Sequence, residues 1–348
     1  MNSKFQNAIK GIPQQTPPIW FMRQAGRYHK HYQALRAKHS FMDLCKVPEL
    51  AAEVALGPVE DFDFDVSILF SDLLFPLEML GMGLEYTDAG PRLGWHLNSE
   101  SIHKLKSVES AIPGMQFQKE AVKLTRKVLP SDKSLIGFVG GPWTLFVYAM
   151  EGGHAGSLTA SKTQLNLFNQ FCELMVPFLI QNIQLQIDGG VEAVMIFDTA
   201  AGEVSPVVFK DYLQPQLDKL ASAHPGRLGY YSKGTTLDHF LSEGQLNTRF
   251  LSQWVGMGFD HRFDLSQCLK RKNQAGVKGF VQGNFDQSLL FMPPTQFRDQ
   301  LMRYLEPLQK LTMNERAGWV SGLGHGVLPK TPEENVRSFV KIIREVFS

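Results

Sequence analysis

Cysteine is scarce and scattered. Cys45, Cys172 and Cys268 are the three in 348 residues. They form an odd set with neither CxxC nor HxC spacing, which argues against a disulfide framework and against thiolate metal or redox chemistry. Free cysteines commonly pack as small hydrophobes, so these are expected to be reduced and structural. Net charge is nearly absent as well: 35 Lys and Arg stand against 34 Asp and Glu, a formal +1. No global field exists to draw in nucleic acid or an anionic membrane surface, so neither is an expected partner, and an anionic ligand must be caught by local basic groups. No apolar stretch is long enough to span a bilayer. The amino end, MNSKFQNAIKGIPQQTPP, lacks a basic segment followed by an apolar core of the kind that directs secretion. A cytoplasmic protein is expected. Repeats, low-complexity tracts, a GxGxxG dinucleotide fingerprint and a Walker motif are missing. So is any linker that would divide the chain, and a single domain over residues 1–348 is expected.

What is present is apolar: 43% hydrophobic against 20% charged residues, enough for a large core. Short runs with β character recur at 18–22, 66–70, 135–139, 193–197, 228–231, more weakly at 258–263, and at 279–281 and 318–320. Helical periodicity fills most gaps between them, as at 48–62, 165–187 and 205–223, which implies a parallel sheet. The number of runs matches the strands of a (β/α)8 TIM-type barrel, the fold class expected here; an open doubly wound sheet would give a similar pattern. The stretch 84–110 reads as an excursion carrying a small hairpin or loop. Just beyond the runs stand Arg23, Asp72, Gly140-Gly141, Asp198, Lys233, Asp260, Asn284 and His325, a ring of polar and glycine residues where barrel enzymes place their chemistry.

Several of these segments suit ligand chemistry. In PPIWFMRQAGRYHKHY, Arg23, Gln24, Arg27 and Tyr28 share one short loop. Two permanently charged, forked donors can converge on a substrate with several carboxylates or phosphates, or else pair with nearby acids. Asp72 ends a strongly apolar run and is followed at once by more apolar residues. It is either a partly desolvated carboxylate awaiting a cationic or N–H-rich partner, or a cap for the next helix. Gly140-Gly141-Pro142 allows a tight turn into a helix bearing Tyr148, whose hydroxyl can face a ligand or sit in the core. Asp198 and Thr199 precede the small residues Ala200, Ala201 and Gly202; Thr199 can bond a carboxylate, and the same pattern fits a plain turn. His325, between two glycines, is a candidate ligand contact or acid/base group.

Taken together, MRQAGRY at 22–28, ILFSDLL at 68–74, GFVGGPWTLFVYAMEGG at 137–153, IFDTAAG at 196–202, QGNFD at 282–286 and GLGHGVLPKTPEE at 322–334 resemble the uroporphyrinogen decarboxylase family in order and spacing. The resemblance spans nearly the whole chain. It implies a (β/α)8 barrel, a homodimer, and cofactor-free conversion of uroporphyrinogen to coproporphyrinogen by removal of the acetate carboxyl groups. Protonating a pyrrole ring carbon makes the ring its own electron sink, so no metal or organic cofactor is implied. By the same resemblance, Asp72 would accept the pyrrole N–H groups and stabilise the protonated ring, and Arg23 and Arg27 would hold acetate and propionate groups. Arg23 would also be a candidate to assist proton delivery. Tyr148, Thr199 and His325 would contact carboxylates, Gln24 would lie beside the arginines, and Phe138 would wall the cleft.

The chain departs from the family pattern in places. The usual IFDSWAG is IFDTAAG, GAPFTL is GGPWTL, GNLDP is GNFDQ, TLQP is ALGP at 55–58, and LPEYR is HKHYQ at 29–33. These departures make a non-catalytic or altered-specificity tetrapyrrole-binding paralogue the alternative. A cobamide-dependent methyltransferase relative is a further one, but it needs a His-x-Cys pair for zinc, and here His325 is followed by Gly326 and Val327.

Overall fold

The apolar runs become the strands of a parallel sheet. In the computed structural model, which describes residues 1–87 and 90–348, the strands in chain order are β1 (Val66–Ile68), a small antiparallel pair β2 (Glu85–Thr87) and β3 (Gly90–Arg92), β4 (Ser134–Gly140), β5 (Ala193–Asp198), β6 (Leu228–Ser232), a second pair β7 (Leu241–Ser242) and β8 (Gln245–Leu246), β9 (Gly256–Phe259), β10 (Phe280–Phe285) and β11 (Trp319–Leu323). Seven of them form a curled sheet in the order β1-β4-β5-β6-β9-β10-β11, every neighbouring pair parallel. Helices such as Gln116–Val128, Leu165–Gly189 and Pro294–Gln309 lie between successive strands. β4 and β5 are buried at every position. Strands covered on both faces read as continuous hydrophobic runs rather than alternating ones. The expected excursion at 84–110 carries the β2–β3 pair; residues 88 and 89, which join the two strands, lie outside the described residues.

β1 is shorter than its expected run, β10 and β11 continue past theirs to Phe285 and Leu323, and two further expected strands differ more. The segment 18–22 forms only an isolated bridge, Ile19 with Ser321. Two successive prolines, Pro17 and Pro18, remove the donors a longer ladder needs. It is nonetheless bonded on both sides. Trp20 N donates to Ser321 O at 3.0 Å, Ser321 N to Pro18 O at 2.9 Å, and Asp65 N to Ile19 O at 3.0 Å. The buried Asp65 carboxylate completes the attachment by accepting from Ile19 N at 2.8 Å and from Asn2 Nδ2 at 3.1 Å. Phe21 packs here against Phe64 at 4.8 Å and Phe339 at 5.1 Å between ring centroids, joining this segment to the carboxyl-terminal helix Glu333–Val346. The second difference is β9, which begins at Gly256 rather than 258 and ends before Phe263. A glycine-rich strand gives little β signal, yet Gly256 is required, since a Cβ there would lie 2.3 Å from the Phe280 ring.

The helix Pro48–Phe62 follows the expected boundaries and buries Ala51, Ala52, Val54, Ala55 and Val59. Gly57, one of the departures, has a specific neighbour: a Cβ at this position would lie 2.3 Å from His31 Nδ1. His31 is itself a departure, in the loop that follows the two arginines, so its ring occupies the room the glycine leaves. Gly57→Ala is therefore expected to destabilise the fold by about 1–3 kcal/mol through overpacking. His31→Ala in the same chain should restore most of that loss, as read from urea unfolding midpoints.

Candidate functional site

The site lies at the carboxyl ends of the strands and is built outward from β1. Two residues past Phe70, Asp72 sits in a turn where its Oδ1 accepts Leu74 N–H at 2.9 Å. One oxygen thus pins the turn that leads into the short helix Phe75–Leu77. Burial raises the Asp72 carboxyl above its ordinary 3.8, while the Tyr86 hydroxyl, the Leu74 N–H and Arg23 favour the anion. Tyr86 turns a buried hydroxyl toward this carboxylate without reaching full hydrogen-bond geometry. Its ring is fixed against Phe41 at 4.5 Å.

The arginine loop is held from behind. Gln24 Nε2 donates to Val66 O at 2.6 Å, and Tyr28 Oη to Gln24 O at 2.5 Å. His29 Nε2 lies 2.6 Å from Asp61, and Gln33 Nε2 donates to Arg27 O at 2.8 Å. Gln24 is 2% exposed and its Oε1 is buried too, so its amide is shut away from the cleft. The amide turns inward to satisfy a strand carbonyl. Among the described residues, neither Arg23 nor Arg27 makes a side-chain ion pair with an acid. Arg23 stays open to solvent along the cleft, yet desolvation lowers its guanidinium below its ordinary range; Asp72 acts against this and Arg27 with it.

Three further elements close in. Gly141 caps the helix Pro142–Glu151, which carries Tyr148. Desolvation and the Asp72 charge raise the Tyr148 phenol, against the pull of Arg23, so it remains a donor. The loop after β11 passes so close to the arginine loop that a Cβ on Gly326 would lie 2.6 Å from Arg23 Cβ. The glycines beside His325 therefore serve close approach, and Tyr231 Oη fixes the loop by donating to Gly324 O at 2.8 Å. His325 is pushed down to about 4 by desolvation and by Arg23 and Lys233, and stands as a neutral imidazole. At the end of β5, Asp198 points inward. It accepts from Thr144 N at 3.1 Å, Thr144 Oγ1 at 2.6 Å and Tyr230 Oη at 3.2 Å, and desolvation raises it to about 6. It anchors the Tyr148 helix, while Thr199 stands half-buried at the mouth end of the same strand. Phe138, on β4, is buried against Phe197 at 5.6 Å.

Asp72, Arg23, Arg27, Tyr148 and His325 thus act on one another's charge in a single cleft, together with Lys233 and two residues the sequence did not single out, Tyr86 and His154. Tyr86 lies in the excursion, outside the strand-end rule. His154 carried a usable signal, a lone histidine directly after Gly152-Gly153, as His325 is a lone histidine between Gly324 and Gly326. The cleft gathers unpaired cations and hydroxyl donors around one desolvated carboxylate. It suits a ligand with several carboxylates at its rim and N–H groups at its centre. Among the described residues, no group of three His, Cys, Asp or Glu side chains is placed to hold a metal ion. An apolar cavity of about 380 Å³ lies apart from this chemistry, between the helix Leu265–Gln274 and strands β9 and β10, lined by Phe240, Trp254, Phe259 and Phe280.

Comparison with known proteins points to one family. The family model described as uroporphyrinogen decarboxylase matches residues 1–346. Curated proteins named uroporphyrinogen decarboxylase match from end to end: 32% identity to that of Pelobacter propionicus and 33% to that of Geobacter sp. strain M21, each covering 99% of both chains. The protein of that name from Chloroherpeton thalassium is 32% identical over 99% of this chain and 97% of its own. Among solved structures, a methyltransferase from Methanosarcina mazei superposes with a TM-score of 0.73 at 20% identity, covering 100% of this chain and 99% of that one. A putative vitamin-B12 independent methionine synthase from Listeria monocytogenes superposes at 0.55 and 11% identity, covering 97% and 98%. At such identities these structures share the fold.

The His325 environment sets a pH dependence. Its folded pKa, about 4, lies below the ordinary 6.5. Between the two values the unfolded chain takes up a proton that the folded chain refuses, so this group removes stability as pH falls. Denaturant unfolding from pH 6.5 down to about 4 should show a shallower loss for His325→Gln than for the parent protein. Parallel losses would mean that the imidazole is not held neutral.

Proposed function

The chain belongs to the uroporphyrinogen decarboxylase family, and we propose that it removes the four acetate carboxyl groups of uroporphyrinogen III as carbon dioxide, giving coproporphyrinogen III in tetrapyrrole synthesis. The observation that carries this reading is Asp72, a desolvated carboxylate without an ion-pair partner, set among free guanidiniums. At each acetate, a proton adds to a pyrrole ring carbon and makes the ring a cation. The carbon–carbon bond to the carboxylate then breaks, its electrons enter the ring and carbon dioxide leaves. A second proton completes the methyl group as the ring carbon gives its proton back. The substrate supplies the electron sink itself.

Asp72 accepts the pyrrole N–H groups and stabilises the cation from a half-buried position, where its charge is less screened than in open water. Arg23 and Arg27 hold carboxylates as forked donors, and their freedom from protein acids leaves them available to do so. Arg23 faces Asp72 across the cleft and assists proton delivery by holding the reacting carboxylate rather than as a general acid. Tyr148, Thr199 and His325 orient the acetate. Gln24 contributes by fixing the arginine loop.

The same reading carries a single catalytic domain over the whole chain and a closed eight-stranded barrel with residues 18–22 as its first stave, supported by the bonds of that segment to Ser321 and Asp65. It also carries a homodimer in the cytoplasm, supported by the family resemblance. No helix among the described residues is long and apolar enough to cross a membrane.

Asp72→Asn keeps the shape of the side chain and removes the charge. Turnover of uroporphyrinogen III is expected to fall by about 10²–10³, the scale for losing one key electrostatic group, with an unchanged circular dichroism spectrum. Near-parental turnover in this variant would contradict the mechanism. A parent protein that binds uroporphyrinogen without releasing carbon dioxide would instead favour the non-catalytic paralogue.

A further inference from the structure

Tyr148 does not face the cleft alone. The helix that carries it ends at Gly152, whose left-handed conformation (φ 75°) turns the chain back along the helix's last turn. At Gly153 an added side chain would meet open space, and the next residue, His154, folds onto the helix. Its Nδ1 lies 3.0 Å from Tyr148 Oη, with ring centroids 5.4 Å apart. Both side chains are half-buried. No protein partner for Nε2 is found among the described residues. Desolvation and the nearby Lys233 hold His154 below its ordinary 6.5, with Glu203 opposing, which favours a neutral imidazole.

A neutral imidazole carries one proton, and its position decides what Tyr148 can do. If Nε2 carries it, Nδ1 is an acceptor and the Tyr148 O–H is spent on it, leaving oxygen lone pairs toward the cleft. A carboxylate is acceptor-only, so lone pairs repel it. If Nδ1 carries the proton, it donates to Tyr148 Oη and leaves the O–H free to point at the ligand. An anionic ligand selects the second arrangement, and a second proton drawn onto Nε2 would leave Nδ1 donating.

We propose that His154 is a positioning residue for Tyr148: it donates from Nδ1 to the phenol oxygen and so commits the hydroxyl to a substrate carboxylate. This rests on the decarboxylase reading of the site. His154 does not touch the reacting atoms. It acts by removing the competing arrangement of Tyr148 and by polarising its O–H.

The test is a double-mutant cycle on the full chain with uroporphyrinogen III kept reduced under anaerobic conditions, comparing the parent, His154→Ala, Tyr148→Phe and the double variant, with His154→Asn as the conservative replacement. His154→Ala should lower kcat/KM about tenfold, the scale of one hydrogen bond. It should cost nothing further in the Tyr148→Phe background. His154→Asn, whose amide can donate to the same oxygen, should recover most of the loss, which a purely structural role would not produce. Equal losses in both backgrounds, or no loss from His154→Ala, would overturn the proposal. If the parent binds uroporphyrinogen but does not decarboxylate it, the functional reading fails while the cycle, read in Kd, still decides: weakening that depends on Tyr148 supports the role of His154, and independent weakening or none refutes it. A parent that neither binds nor decarboxylates uroporphyrinogen overturns both.

Discussion

A half-buried carboxylate stands beside guanidiniums that do not close onto it, and the cleft is arranged around that separation. Desolvation pushes Asp72 toward its neutral form; one backbone N–H, the Tyr86 hydroxyl and the field of Arg23 push back. The opposing cation is kept out of ion-pair contact. Had Arg23 closed onto Asp72, each would have consumed the other's charge, and breaking such a pair to admit a ligand is costly. Held apart, both remain available, and the rest of the local structure maintains the gap. The Gln24–Val66 and Tyr28–Gln24 bonds fix the arginine loop from behind, and Gly326 lets the His325 loop press against Arg23. The Asp198–Thr144 bonds fix the helix that presents Tyr148.

Several of the departures from the family pattern have specific structural neighbours. Where the pattern has tryptophan, Ala200 stands buried; where it has phenylalanine, Trp143 stands buried, and its indole donates to Ala200 O at 3.2 Å. The large ring has moved from one segment to its neighbour. Gly141, in place of alanine, has no room for a Cβ, which would lie 2.4 Å from Asp198 Cγ. Gly57 and His31 interlock in the same way. Gln287 replaces proline at the first position of the turn Gln287–Phe291, after Asp286, whose side chain accepts from Ser288 N at 2.9 Å. Proline's missing N–H is harmless there, so its replacement is mild as well. Compensated substitutions are what a chain accumulates while its cleft keeps working, and Arg23, Arg27, Asp72, Tyr148 and His325 are untouched by any of them.

The parallel sheet could be read from the sequence because strands buried on both faces give unbroken runs, as in β4 and β5, each followed by a polar or glycine residue at the cleft. The segment 18–22 was harder, since its pairing depends on contacts with residues 65 and 321 that no local pattern records. β9 was misplaced because its glycines serve the packing of Phe280 and carry no β signal. Gln24 shared its loop with the arginines, and nothing in the spacing said that its amide would turn inward. Tyr86 and His154 reach the cleft from the β2–β3 excursion and from beyond a glycine helix cap. Such residues become visible only when the fold brings their hydroxyl and imidazole beside Asp72 and Tyr148.

The account rests on a protein that decarboxylates its substrate with its own side chains and the substrate's own ring as electron sink. The direct test is an anaerobic incubation of the purified protein with freshly reduced uroporphyrinogen III, without added metal or cofactor, followed by oxidation and chromatographic separation of the porphyrins by carboxyl count. The account predicts stepwise conversion from the eight-carboxyl starting material through intermediates to the four-carboxyl product. Recovery of the eight-carboxyl material alone, from a protein that is folded and binds it, would contradict it.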